Sequence, residues 1–191
     1  MSSNNLVVIG VSTGGPLTLK ALFRELPPLN AAFLIVLHIT PQMDYRIAQG
    51  LNAVASMPVA LAEDGEFLRS GNIYLAPGGF HLSLEGNQRV VLYEGARVNY
   101  VQPAVDVTMR SLSRPLGGGK VIGVILTGMG KDGAEGIRHI KQIGGVTIAQ
   151  DQNSSTIYGM PKAAVQTGAV NFVLPPKKIA DKLAELLDRI A

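Results

Sequence analysis

The chain has 191 residues, of which 47% are hydrophobic and 16% charged, and its formal net charge is +3. This length and composition predict one compact globular domain over residues 1–191 and exclude a disordered chain. The absence of cysteine excludes disulfides, thiolate metal sites and a thiol nucleophile, and no apolar run approaches the ~20 residues needed to cross a bilayer.

The N-terminal sequence lacks the basic start and apolar stretch of a secretion signal, so we expect a cytoplasmic protein without membrane insertion. Residues 1–100 carry six Lys or Arg against seven acids, whereas residues 101–191 carry eleven against seven. This basic surplus favours an acidic partner, although scattered solvated lysines are the simpler explanation. No basic run interleaved with aromatic residues indicates nucleic acid, and no metal or cofactor site is expected.

Short apolar runs predict β-strands that alternate with helix-like stretches. Strands are expected at residues 6–11, 32–39, 120–128, 144–151 and 169–175. Helices are expected at residues 17–26, 45–55, 105–112, 134–143 and 179–190. Near-continuous hydrophobicity suits strands buried on both faces, so the alternation predicts a three-layer, doubly wound α/β domain with a mostly parallel sheet.

Two segments need separate interpretations. Residues 58–93 are cut by five glycines and contain a strand-like alternation around the turn sequence EGN, which predicts an antiparallel hairpin region inserted into the α/β pattern. The last predicted helix carries a stripe at helical spacing that we expect to face the core. Its members are Ile179, Leu183, Leu186, Leu187 and Ile190.

The segment VVIGVSTGGP, residues 7–16, runs from a predicted strand into a hydroxyl pair, two glycines and a proline. Residues 10–14 match G-x-S-x-G, a sharp strand-to-helix turn that exposes a serine hydroxyl, here that of Ser12. Three interpretations remain open: a capping turn, an anion site at a helix start, and a nucleophile. Neither a Walker A loop nor a dinucleotide G-x-G-x-x-G fingerprint is present.

A serine nucleophile needs a base, and the chain has three histidines. His38 ends the second predicted strand, where an apolar run turns polar, and it would share a sheet edge with Ser12 if the two strands are neighbours. A histidine that merely ends a strand is the alternative. His139 lies within a predicted helix, where we expect it to face solvent.

The third predicted strand end supplies LTGMGKDGAEG, residues 126–136, with Asp132 just before the next helix. An aspartate in this place is ordinarily a helix cap. However, three ends of parallel strands then offer serine, histidine and aspartate at one edge, which favours a triad of Ser12, His38 and Asp132. The glycines also leave backbone N–H groups, including that of Met129, free to face a developing oxyanion.

The order of these residues along the chain is serine, histidine, aspartate. In α/β-hydrolases the order is serine, Asp or Glu, histidine, and the elbow lies further along the chain. The order therefore argues against that fold and predicts an independent occurrence of the same chemistry.

Six segments resemble, in this order, the catalytic domain of the chemotaxis protein-glutamate methylesterases. They are IGVSTGGP, LHITP, IYLAPGGFHL, QPAVDVTMRSL, LTGMGKDGAEG and STIYGMPKAAVQTGAV. The resemblance extends from about Leu6 to Leu187, which is nearly the whole chain. The combination of the serine, histidine and aspartate segments is highly specific.

The resemblance implies hydrolysis of glutamate γ-methyl esters on the cytoplasmic helices of methyl-accepting chemotaxis receptors, with release of methanol. Many family members also deamidate receptor glutamines. Carried over by motif, Ser12 is the nucleophile, His38 the general base and acid, and Asp132 the orienting acid. Thr13 and the backbone N–H of Met129 correspond to the groups that support the histidine and the oxyanion.

Some features of the family are absent or altered. Family members usually carry an N-terminal receiver domain whose phosphorylation relieves inhibition, whereas this sequence begins at the serine elbow. Two interpretations remain open: an excised catalytic domain, or a stand-alone enzyme regulated otherwise, for which a separate receiver protein is a candidate partner. The family usually has Ala where this sequence has Val11, and a Gln-His-Met-Pro segment where it has LHITPQMDYR. These departures leave the identity of the receptor substrate undetermined. His81 falls at a family position near the cleft and is assigned no chemical step. The alternative to an enzyme is a catalytically silent module that binds receptor or an anion.

Overall fold

A computed structural model of the protein describes residues 5–115 and 117–190. The strands are β1 Leu6–Val11, β2 Ala32–Leu37, β3 Val59–Leu61, β4 Asn72–Leu75, β5 His81–Glu85, β6 Arg89–Tyr93, β7 Val121–Ile125, β8 Val146–Gln150 and β9 Phe172–Leu174. The helices are α1 Gly15–Glu25, α2 Pro41–Asn52, α3 Val105–Arg110, α4 Ala134–Gln142, α5 Met160–Gln166 and α6 Pro176–Leu186.

Seven strands form one sheet in the order β3-β4-β2-β1-β7-β8-β9. Every neighbouring pair in this sheet is parallel. Because β1 lies between β2 and β7, the chain leaves β1 in one direction along the sheet and later returns to its other side, which is the switch point of a doubly wound fold. The predicted fold class is therefore confirmed.

The expectation that residues 58–93 form only antiparallel structure is wrong for their first part. β3 and β4 pair in parallel and extend the main sheet, and only β5 and β6 form the antiparallel hairpin. β3 has three residues and β4 four, too few for a period to distinguish the two kinds of strand. Ile73 and Leu75 are fully buried in the core shared with α1, α2 and α6, and this burial holds β4 in the main sheet.

The helices cover both faces of the sheet. Alternate residues of β1 point to opposite faces: Val7 and Ile9 belong to a core shared with α1, α2 and α6, whereas Val8 belongs to a core shared with α3, α4 and α5. All six residues of β1 are buried. This two-sided burial explains why the strand reads as a continuous apolar run.

Two of the helices, α2 and α6, begin at least three residues earlier than predicted because each starts at a proline. Pro41 opens α2 and Pro176 opens α6, positions where the missing N–H and the fixed φ cost nothing. The predicted core stripe of the last helix holds at Ile179 and Leu183, which are fully buried. It fails at Ile190, which is 44% exposed, because α6 ends four residues earlier.

The start of α3 packs tightly on the carboxyl half of β1. A Cβ on Gly10 would lie 2.5 Å from a methyl group of Val105, so only glycine permits this approach. The approach brings the first backbone N–H groups of α3 to the edge of the sheet where β1, β2 and β7 end. Among the described residues, no helix combines the length and apolar character needed to cross a membrane.

Candidate active site at the carboxyl edge of the sheet

The three predicted site residues follow three neighbouring strands. Ser12 comes directly after β1 and His38 directly after β2, and these strands pair in parallel up to Val11 and Leu37. Asp132 lies in the loop between β7 and α4. Since parallel strands end at the same edge of a sheet, residues far apart in sequence meet here.

A short polar contact at this edge joins His38 to Asp132. The Nε2 atom of His38 lies 2.7 Å from Oδ2 of Asp132, and the carboxylate is only 2% exposed. The backbone N–H groups of Val105 and Asp106 donate to the same carboxylate at 2.7 and 3.1 Å, and Nδ2 of Asn99 donates to Oδ1 at 2.9 Å. Asp132 thus accepts four hydrogen bonds and also caps the N-terminus of α3.

Burial alone would raise the pKa of the Asp132 carboxyl, because it disfavours the charged form. The hydrogen bonds from His38, from the two backbone N–H groups and from Asn99 outweigh that effect and hold the pKa below its usual value. Asp132 is therefore ionised at neutral pH and acts purely as an acceptor.

The lowered pKa of Asp132 predicts a contribution to acid stability. The folded state binds a proton at this carboxylate less readily than the unfolded state, so the stabilisation is present above the usual value of 3.8 and is lost as the pH falls through the folded-state pKa. Urea unfolding between about pH 3 and pH 5 should show a steeper fall in unfolding free energy for the wild type than for Asp132→Asn. Equal slopes for the two proteins would contradict this assignment.

The bond to Asp132 also sets the tautomer of His38. An ionised carboxylate only accepts, so Nε2 of the ring carries the proton and Nδ1 has a free lone pair. Nδ1 is thus the nitrogen that can accept a proton from the Ser12 hydroxyl. Within the described residues the Ser12 hydroxyl makes no hydrogen bond to the ring, although both side chains line one cleft, and such bonds often tighten only when substrate binds.

Glycines fix the position of Ser12 at its turn. Gly14 has φ of 82°, a left-handed conformation that glycine adopts at no cost, and α1 begins at the next residue. On the other side, a Cβ on Gly128 would lie 2.8 Å from the Ser12 Cβ. The backbone N–H of Ser12 donates to the Thr127 carbonyl at 2.9 Å, which ties the turn to the loop after β7.

One of the backbone N–H groups that an anion site at this turn would need is already used. The backbone N–H of Gly15, at the start of α1, already donates to the Ser12 carbonyl at 2.8 Å. An anion cradle needs several free N–H groups that converge on one point. The turn is therefore better suited to presenting the Ser12 side chain than to holding a phosphate.

The two predicted supporting residues border the same edge. The side chain of Met129 is 74% exposed, and its backbone N–H donates to no other described residue. Thr13 is also exposed, and its carbonyl accepts the hydroxyl of Thr127 at 2.9 Å. The Thr13 hydroxyl makes no hydrogen bond to His38 among the residues that the structure describes, so its supporting role stays a prediction.

A cleft of about 540 Å³ opens beside Ser12 and His38. Its walls come from the ends of β1 and β2, from the first half of α2 and from the loop at residues 97–102. Apolar side chains dominate one wall, and Arg97, Tyr100 and Gln102 stand on the other. A cleft of this size admits one side chain and a few neighbouring groups of a protein substrate.

The other two histidines lie outside this cleft. His139 does not face solvent as predicted: the ring is half-buried on α4, and its Nε2–H donates to the Leu112 carbonyl at 2.7 Å. His81 is 2% exposed on β5, and its Nε2–H donates to the Ala96 carbonyl at 2.9 Å. Neither ring is among the groups that line the cleft.

Sequence reasoning missed Asn99 and Asp106, both of which contact or adjoin Asp132. Asp106 is only 7% exposed although it lies in the first turn of a short helix. A carboxylate inside the apolar segment AVDVTM was a usable signal, because a buried acid must be paired. No local pattern marks Asn99, since its partners are distant in sequence.

Comparison with known proteins places these features in a family. The CheB methylesterase family model matches residues 7–183. A crystal structure of the Thermotoga maritima CheB methylesterase catalytic domain superimposes with a TM-score of 0.89, at 38% identity, over 97% of this chain and all of that chain.

Curated relatives carry the name protein-glutamate methylesterase/protein-glutamine glutaminase. One from Symbiobacterium thermophilum is 42% identical over 93% of this chain, and one from Pyrococcus horikoshii is 39% identical over 96%. The chain spans about half of these relatives, 49% and 51% of their lengths. By the family match, the shared fold and the identity over nearly its whole length, the chain belongs to the CheB methylesterase family.

Proposed function

We propose that the protein hydrolyses γ-methyl esters of glutamate side chains on methyl-accepting chemotaxis receptors and releases methanol. We also propose that it deamidates receptor glutamines, since the amide is the nitrogen analogue of the ester. The observation that carries the proposal is the hydrogen bond between His38 and a buried, ionised Asp132 at the sheet edge where Ser12 emerges. Membership of the methylesterase family supplies the substrate class.

In the proposed mechanism, Ser12 Oγ attacks the ester carbonyl while Nδ1 of His38 takes its proton. The resulting imidazolium is stabilised by Asp132 through Nε2–H, and it then protonates the departing methoxide. The bond from the ester carbonyl to the methoxy oxygen breaks, leaving an acyl-enzyme. Water, deprotonated by the same histidine, then releases glutamate and restores the serine.

The backbone N–H of Met129 is the proposed donor to the oxyanion. It lies in the loop held against Ser12 through Gly128, and it donates to no described residue. Such a donor is useful because it is already oriented when charge develops on the carbonyl oxygen.

A separate receiver protein that covers the cleft would regulate the esterase, and this partner is inferred from the family alone.

The test of the function is methanol release from purified, methylated receptor fragments. The protein should release methanol in proportion to the methyl groups lost and leave a receptor with glutamates. A receptor that stays fully methylated while it binds the protein would favour the silent binding module instead.

The charges beside the cleft predict how the substrate is held. Arg97 lines the cleft, and Lys20 and Arg46 line an adjoining groove between α1 and α2. Among the residues that the structure describes, no acid lines either surface, and none of the three cations forms an ion pair. These cations come from the first half of the chain, not from the basic surplus after residue 100.

We therefore expect Lys20→Glu combined with Arg46→Glu to raise KM for an acidic receptor segment about tenfold at low salt. The effect should shrink at about 0.3 M NaCl, where charges beyond a few ångströms are screened. Lys141→Glu combined with Lys177→Glu makes the same change of four charges on two exposed lysines outside the cleft, neither of which forms an ion pair with another described residue, and serves as the control. An equal rise in KM for the control would show that net charge, not this surface, matters.

A further inference from the structure

Asp132 and Asp106 cap each other's helices: Asp132, just before α4, caps α3, and Asp106, in α3, caps α4. Asp132, which precedes α4, accepts the N–H groups of Val105 and Asp106 at the start of α3. In return Asp106 Oδ1 accepts the N–H groups of Gly133 and Gly136 at the start of α4, at 3.0 and 2.8 Å. Each carboxylate thus accepts hydrogen bonds from helix N-terminal N–H groups that have no partner within their own helix. Those same N–H groups fix the position of the carboxylate.

One side chain joins the two carboxylates. The Nδ2 group of Asn99 donates to Oδ1 of Asp132 at 2.9 Å and to Oδ2 of Asp106 at 2.8 Å. An amide NH₂ has two hydrogens, so both are used. Asn99 has φ of 53°, a left-handed conformation that asparagine tolerates better than most residues.

We propose that Asn99 is a positioning residue for Asp132 and, through Asp132, for His38, and that Asp106 anchors it. This inference rests on the proposed function. Oδ2 of Asp132 holds the histidine, so the carboxylate must not rotate, and Oδ1 is fixed by Asn99 and by one backbone N–H. Without the Asn99 amide, Oδ1 of Asp132 keeps only the longer hydrogen bond from the Asp106 backbone N–H. It then faces the Asp106 carboxylate with no donor between the two.

Asn99→Gly tests the amide without adding strain, because glycine adopts positive φ freely. We expect kcat for methanol release to fall about 10- to 100-fold with KM nearly unchanged, since a small displacement of the triad costs rate and not binding. The control is Asn87→Gly. Asn87 also has positive φ, 62°, but its side chain bonds Ser113 at the hairpin turn, so kcat should stay at the wild-type value.

A proton spectrum supplies a readout that needs no substrate. The His38 Nε2–H, bonded to an ionised carboxylate, should give a strongly downfield resonance in the wild type and in Asn87→Gly. In Asn99→Gly the resonance should move upfield or broaden. If the wild type shows the resonance but releases no methanol, the proposed function fails, while the comparison between variants still decides the positioning role.

Asp106→Asn is the second variant, should Asn99→Gly not fold. Its carbonyl oxygen can still accept from Gly133 and Gly136, but its NH₂ then meets the NH₂ of Asn99. Asn99 must turn away, and Asp132 loses the same donor, so the same fall in kcat and the same change in resonance are expected. A folded variant of either kind that keeps wild-type kcat, or that loses kcat with an unchanged resonance, overturns the proposal.

Discussion

Ser12→Ala should lower kcat for methanol release by roughly 10⁵- to 10⁶-fold, the scale found when a serine nucleophile is removed. The alanine lacks the oxygen that would form the acyl bond, whereas the fold loses almost nothing. Within the described residues the Ser12 hydroxyl makes no hydrogen bond, and the turn is held by backbone contacts to Thr127 and Gly15. Thermal unfolding should therefore stay within a few degrees of the wild type.

The matched control is Ser83→Ala, a half-buried serine on the β5–β6 hairpin, outside the cleft. It should release methanol at the wild-type rate. The decisive measurement is single-turnover methanol release with enzyme in excess over methylated receptor. A rate for Ser12→Ala within tenfold of the wild type would remove Ser12 as nucleophile and leave the receptor-binding interpretation.

Asp132→Asn should lower kcat by about 10⁴-fold, because an amide cannot stabilise the imidazolium and favours the wrong tautomer of His38. It should also destabilise the protein, in contrast to Ser12→Ala. Four donors converge on the two carboxylate oxygens, and an asparagine must direct its own NH₂ at one pair of them. Leaving such buried donors unpaired costs about 1–3 kcal/mol.

Activity of Asp132→Asn must therefore be measured below its own unfolding midpoint, with the folded fraction checked by circular dichroism. Asp181→Asn, an exposed carboxylate on α6, is the control for the loss of one charge and should leave kcat unchanged. If folded Asp132→Asn turned over receptor as fast as this control, Asp132 would be only a helix cap.

The proposed catalytic role of Asp132 and its capping of α3 share one physical cause. Hydrogen bonds from His38 and from the backbone N–H groups at the start of α3 outweigh burial and keep the pKa of the carboxyl low, and an ionised carboxylate is what a protonated histidine needs as its partner. The sequence predicts Asp132 as a cap of α4, the helix that follows it, and this is wrong, because Asp132 accepts N–H groups of α3 instead. Capping of α3 is compatible with the proposed triad, since both use the same ionised carboxylate. The stability of the start of α3 and the orientation of His38 depend on the same atoms.

Several features followed from local sequence alone. The serine elbow was predictable because Gly14 and Pro16 encode a turn and a helix start within a few residues of Ser12. The strand ends at His38 and near Asp132 were predictable because a buried parallel strand shows as an apolar run that stops. β3 and β4 were misassigned because three or four residues carry too little periodicity to show which neighbours they pair with.

Only the tertiary structure decided what these residues contact. The order of β2, β1 and β7 in the sheet brings His38 within 2.7 Å of Asp132, although 94 positions separate them. Asn99 enters the site from a loop outside the segments that carry the family resemblance. Asp106 lies within one of them, QPAVDVTMRSL, but nothing in that segment indicates its contact with Asp132. Turns and strands are encoded by neighbouring residues, whereas the pairing of distant carboxylates and amides is set by packing of the helices on the sheet, and that packing has no local signature in the sequence.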